Sequence, residues 1–135
     1  MDKVHAYIEE YQRLYGNMSR RELLEHIATV SGTFWIEDNL EPWERMNDWP
    51  ELELLSAFEF LRPELPEEEQ AILDSWIAKY AGWRDQGIFF QRYDEAAHCH
   101  RYSWKEERKD TEECLGRLIP RSHWWYWPDD KRGES

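Results

Sequence analysis

The sequence is short of cysteine, of basic residues and of long apolar runs, and each shortage removes a class of protein. Two cysteines, Cys99 and Cys114, cannot frame a disulfide scaffold. The start MDKVHAYIEE has neither the basic opening nor the apolar stretch of an export signal, so both are expected as reduced thiols. No segment approaches the ~20 apolar residues of a membrane span, which makes the cytoplasm the expected location. Lys and Arg number 17 against 29 Asp and Glu, a net charge of −12. That balance disfavours direct binding to a nucleic-acid backbone and leaves basic proteins as the expected partners. There is no nucleotide-binding motif and no Asp-x-Asp-x-Asp-Gly calcium loop, and the single Glu-x-x-His spacing, Glu95 to His98, lacks the second copy that a di-iron bundle needs.

What remains is enough for a folded domain. The 135 residues are 41% hydrophobic and 16% aromatic, which excludes a disordered chain and fits one domain. Residues 1–129 are expected to form it, with 130–135 as a flexible charged tail.

Val4, Tyr7, Ile8, Tyr11, Leu14 and Tyr15 recur at helical steps before Gly16, predicting a helix over about 2–15. Ser19 and Glu22 have capping-box spacing, and Leu23, Leu24, Ile27 and Val30 continue a second helix. Residues 33–49 mix aromatics and acids without a period and read as a partly helical connection. Pro50 and Pro66 head two further helical patterns, Leu54 to Leu61 and Ile72 to Trp83, the second stopped by Gly87. Beyond Gly87, GIFFQRYDEAAHCHRYSW is rich in strand-favouring aromatics around a turn-compatible DEAA, predicting a hairpin. A short helix over 111–118 and a third strand in SHWWYWP complete the expectation. The fold class is therefore mainly α (α+β): four to five helices with a small antiparallel hairpin or three-stranded sheet in the C-terminal third.

Three features are candidate sites. On a strand, His98 and His100 share a face while Cys99 points away. With His123 from a neighbouring strand the two histidines could form a three-histidine zinc site that activates water. The competing reading is a pair of surface or hydrogen-bonded histidines with no metal or cofactor, and it is preferred. Cys99 reads as a small buried thiol, since side chains on opposite strand faces cannot form a nucleophile–base pair.

The second feature is aromatic. Trp76 and Trp83 fall on a core stripe, whereas HWWYWP sends Trp125 and Trp127 to one strand face and Trp124 and Tyr126 to the other. That makes Trp125 and Trp127 candidates for an interface, within a partner complex or a homo-oligomer, against the commoner reading of a core-closing edge strand.

The third is charge. From Glu37 to Asp74 stand thirteen acids against Arg45 and Arg62 alone, while the rest of the chain is nearly neutral. Carboxylates at 67–69 suit a helix N-terminus, but capping does not require such an excess, which leaves a functional acidic face and a solvated one as equal readings.

These features point to a non-catalytic acidic inhibitor or interaction protein. In size and charge it is similar to immunity proteins and phage anti-defence proteins, which block a basic nucleic-acid-processing enzyme. Its expected contact residues are Glu41, Trp43, Glu44, Asp48, Trp49, Glu51, Glu53, Glu67, Glu68 and Glu69, with Trp125 and Trp127. A zinc-dependent enzyme and a structural homo-oligomeric subunit are the alternatives.

Overall fold

A computed structural model describes residues 2–30, 49–87, 89–90 and 104–127. Among the described residues the protein is helical, with five α-helices, two single 3₁₀ turns and no strand.

Helix α1, Lys3–Leu14, begins where the Asp2 side chain accepts from the His5 amide at 3.0 Å. It ends at Gly16, whose φ of 80° lies in the left-handed region that glycine enters at little cost. Helix α2, Arg20–Val30, starts with a reciprocal capping box: the Glu22 amide donates to Ser19 Oγ at 3.1 Å, and the Ser19 amide to Glu22 Oε1 at 2.9 Å.

Helix α3, Trp49–Phe60, buries Leu52, Leu54, Leu55, Ala57 and Phe58. Consecutive positions cannot share one helix face, so a helix apolar on several sides must lie centrally. It packs against α1 and α4. A 3₁₀ turn at Arg62–Glu64 leads through Pro66 into α4, Glu67–Asp85, which buries Leu73, Trp76 and Tyr80. Helix α4 also packs on α2, where the Lys79 ammonium closes the far end of α2 by donating to the Ala28 carbonyl.

Helix α5, Trp104–Leu115, packs on α1 and ends at Gly116, whose φ is 69°. The second 3₁₀ turn, Trp124–Tyr126, packs against α5 and places Trp125 and Tyr126 in the core. Burying a side chain the size of leucine or phenylalanine contributes about 1.5–3 kcal/mol, so the shared cluster of α1 to α5 dominates the fold.

The expected hairpin or three-stranded sheet is corrected. Phe89 and Phe90 are helical, and Trp104 opens α5. The remainder of the expected hairpin, residues 88 and 91–103, lies outside the described residues. The expected third strand is instead a turn that satisfies its own backbone, with the Tyr126 amide bonded to the His123 carbonyl at 3.0 Å and the Trp127 amide to the Trp124 carbonyl at 2.9 Å. Aromatic enrichment marks side chains that need burial, and such a turn buries them without a partner strand. Adjacent residues on it diverge by about 120°, so Trp125 and Tyr126 can both face inward, as strand neighbours cannot. The helix expected over 111–118 starts earlier, at Trp104, because its buried positions are polar: Glu107 and Thr111 precede Leu115 at four-residue steps.

Candidate functional site

The described part of the acidic segment, from residue 49 on, has surface and interior carboxylates. Glu67 and Asp74, seven residues apart on α4, project from one side of the helix with Glu68 beside them, all exposed. The Glu68 carboxylate meets Arg21 at 2.9 Å, and Asp74 meets Arg62 at 2.8 Å. Arg62 also holds Glu59 with two bonds of 2.9 Å, a bidentate fork. Glu69 turns inward, is buried, and pairs with Arg20 at 3.0 Å. Glu64 receives His5 Nε2 at 3.0 Å while His5 Nδ1 meets Asp2 at 2.7 Å. Hydrogen bonds to Glu64 and then Asp2 favour the imidazolium and raise the His5 pKa, while the His5 backbone amide first, and its ring second, lower Asp2 to about 2. Cations from α1, α2 and the 3₁₀ turn thus neutralise part of the run.

Glu53 also leaves the surface. Its carboxylate accepts from the Tyr7 hydroxyl at 2.9 Å and from Thr111 Oγ1 at 3.3 Å, joining α3 to α1 and α5. Of the other expected contact residues, Trp49 and Glu51 lie on α3 with side chains outside the description, and Glu41, Trp43, Glu44 and Asp48 precede the described part of that helix.

The histidine trio is not assembled among the described residues. His98 and His100 lie outside them, and His123 is in the core, 2% exposed. Its Nδ1 lies 2.9 Å from Ser56 Oγ, and its ring stacks on Trp125 at 5.1 Å. Burial lowers its pKa to about 4, so it is neutral at pH 7. Ser56 and His123 have the spacing of a nucleophile and base, but both are enclosed and Trp125 Nε1 also donates to the same hydroxyl at 2.9 Å. That set ties α3 to the C-terminal turn. No group of three or more metal-ligating side chains occurs among the described residues.

The tryptophan pair divides. Trp125 is 1% exposed and belongs to the core of its own chain, whereas Trp127 is half-buried. The Arg108 and Arg121 guanidiniums lie over the Trp127 ring, 4.0 and 4.4 Å from its centroid, and Trp127 Nε1 donates to the Pro120 carbonyl. Arg84 lies 4.4 Å over Trp124 in the same way.

Sequence reading missed the interior polar set of Glu53, Glu107, Thr111 and Tyr126. The four-residue step from Glu107 through Thr111 to Leu115 is the signal that could have revealed it.

No family model matches the chain, and neither a curated protein nor a solved structure resembles it significantly. No helix among the described residues is long and apolar enough to cross a membrane.

Proposed function

We propose that this is a non-catalytic interaction protein whose acidic side docks on a basic partner protein, such as a nucleic-acid-processing enzyme. The observation that carries the reading is the charge imbalance from Glu37 to Asp74, together with the exposed carboxylates of Glu67, Glu68 and Asp74 on the outer side of α4. Ala71, Ser75 and Ala78 lie exposed between and beyond them, so no bulky side chain of α4 stands in front of those acids. A basic surface approaching this helix meets Glu67 together with Glu68 and Asp74, which Arg21 and Arg62 offset in part, and the positive end of the helix dipole favours negative charge at the first two. Carboxylates spaced along a rigid helix can take the place of phosphates, and their long-range field accelerates encounter.

The test uses charge reversal where the side chains are exposed, at Glu67, Glu68 and Asp74, and leaves the inward-turned Glu53 and Glu69 intact. Association with the captured partner is expected to slow about tenfold or more at low salt and to lose much of its salt dependence. Glu67→Gln with Glu68→Gln separates lost charge from the poor fit of lysine at a helix N-terminus. Unchanged rates in both variants contradict the reading.

A further inference from the structure

Helix α5 places Glu107 and Thr111 inside, beside Leu115, and joins α3 through the bond from Thr111 to the Glu53 carboxylate. Glu107 is 7% exposed and sits one turn before Thr111, which is fully buried. Among the described residues no hydrogen bond or ion pair reaches the Glu107 carboxyl. A carboxylate left this way is far more costly to bury than a carboxylic acid.

Glu53 is differently supplied. Tyr7 donates to one of its oxygens at 2.9 Å and Thr111 to the other at 3.3 Å, and the Thr111 hydroxyl lies 2.8 Å from the Tyr126 hydroxyl. With the Thr111 proton directed at Glu53, Tyr126 must donate to Thr111. The chain then runs in one direction, from Tyr126 through Thr111 to Glu53, with Tyr7 donating from the opposite side. Burial raises the pKa of both acids, but two donors oppose the rise at Glu53 and none does at Glu107, so Glu53 is the one to carry the charge while Glu107 keeps a proton.

The described groups around the pair supply no cation to either acid. Helix α1 contributes Tyr7, Tyr11 and Lys3, of which Lys3 donates to the Glu113 carbonyl at 3.2 Å. Helix α5 contributes Asp110, whose charge acts on both acids, and Cys114, while the exposed Lys105 and Lys109 point to solvent. Arg108 donates to the Tyr126 carbonyl at 2.8 Å and lies over Trp127. The 3₁₀ turn contributes Tyr126, fully buried.

We propose that Glu53 and Glu107 form a proton-controlled clasp: α5 and the Trp124–Tyr126 turn stay seated on α1 and α3 while Glu107 holds its proton, and loosen when it is lost. Burial, then the charges of Glu53 and Asp110, raise the Glu107 pKa to about 8, which places release just above neutrality. The sign follows from linkage. An acid that binds its proton more tightly when folded contributes stability that is complete below its unfolded value near 4.5 and lost as pH rises to about 8.

The test compares the full-length wild type with Glu107→Gln, which keeps the shape of the neutral acid and cannot ionise. The readouts are the thermal midpoint and the amide exchange of α5, corrected for intrinsic base catalysis, from pH about 6 to about 9. In the wild type the midpoint is expected to fall by several degrees and the α5 amides to lose protection ahead of those of α2 and α4. Glu107→Gln should hold both nearly constant and exceed the wild type at the alkaline end. His5→Gln, run alongside, removes the separate alkaline response of that imidazole. A Glu107→Gln protein that follows the wild-type pH curve overturns the proposal. So does a wild-type Glu107 carboxyl carbon resonance that titrates near 4.5, a measurement independent of how the variant folds.

Discussion

Ser56 Oγ on α3 lies 2.9 Å from both His123 Nδ1 and Trp125 Nε1, so one buried hydroxyl fastens the C-terminal turn to the central helix. The indole can only donate, and the neutral imidazole accepts at Nδ1 when Ser56 donates to it. Ser56→Ala leaves an indole N–H and an imidazole nitrogen buried without partners. It is expected to reduce stability by about 1–3 kcal/mol in urea unfolding, with Trp125 emission shifting to the red. A change below a few tenths of a kcal/mol would remove the hydroxyl from this account.

The same histidine sets the acid limit. His123 is neutral when folded, with a pKa of about 4 against 6.5 for a free imidazole. The unfolded chain therefore binds the proton first, and stability is lost as pH falls from about 6.5 towards 4, by up to about 3 kcal/mol. Denaturant melts of the wild type and His123→Phe across that interval check this. The variant should lose the acid-side slope whatever its absolute stability.

His5 acts on the other side of neutrality. Its imidazolium lies between Asp2 and Glu64, so its contribution is complete below 6.5 and fades as pH rises through its raised folded value. All three side chains are partly exposed, which keeps the effect small. A nitrogen-15 titration of the His5 ring should show its midpoint above 6.5 and return it towards 6.5 in Glu64→Gln.

Two ion pairs between α2 and α4 should differ sharply although their lengths are alike. Arg20–Glu69 joins a guanidinium to a buried carboxylate at 3.0 Å, whereas Arg21–Glu68 spans 2.9 Å in the open. Arg20→Ala is expected to cost about 1–3 kcal/mol, and Arg21→Ala less than about 1. Double-mutant cycles with Glu69→Gln and Glu68→Gln measure both couplings, and equal values would contradict the inward placement of Glu69.

The first two helices were legible in the sequence because their limits are set by local chemistry. Asp2, Gly16 and the Ser19–Glu22 box act within one turn of themselves, and apolar stripes such as Val4–Ile8 or Leu73–Trp76–Tyr80 follow the helical period. The C-terminal third was misread for the opposite reason. Helix α5 buries Glu107 and Thr111, so its inner face has no apolar signature, and its partners, Tyr7 and Glu53, lie more than fifty residues away in the chain. Tryptophans at 124, 125 and 127 carried strand preference, yet Trp125 is held by Ser56 and Trp127 by Arg108, distant groups that no local window contains, and Trp127 also by the backbone carbonyl of Pro120, which residue type does not reveal. Charge was legible as an amount but not as a pattern. The sequence cannot tell that Glu69 is spent on Arg20 or Glu53 on two hydroxyls while Glu67 remains exposed.

The most direct test of an acidic docking surface is affinity capture of the tagged full-length protein from lysate of its own cells, with and without nuclease, beside the variant reversed at Glu67, Glu68 and Asp74. One basic protein retained by the wild type after nuclease and lost from the folded variant is the predicted result. Equal retention by both proteins, or recovery of the bait alone, would contradict it.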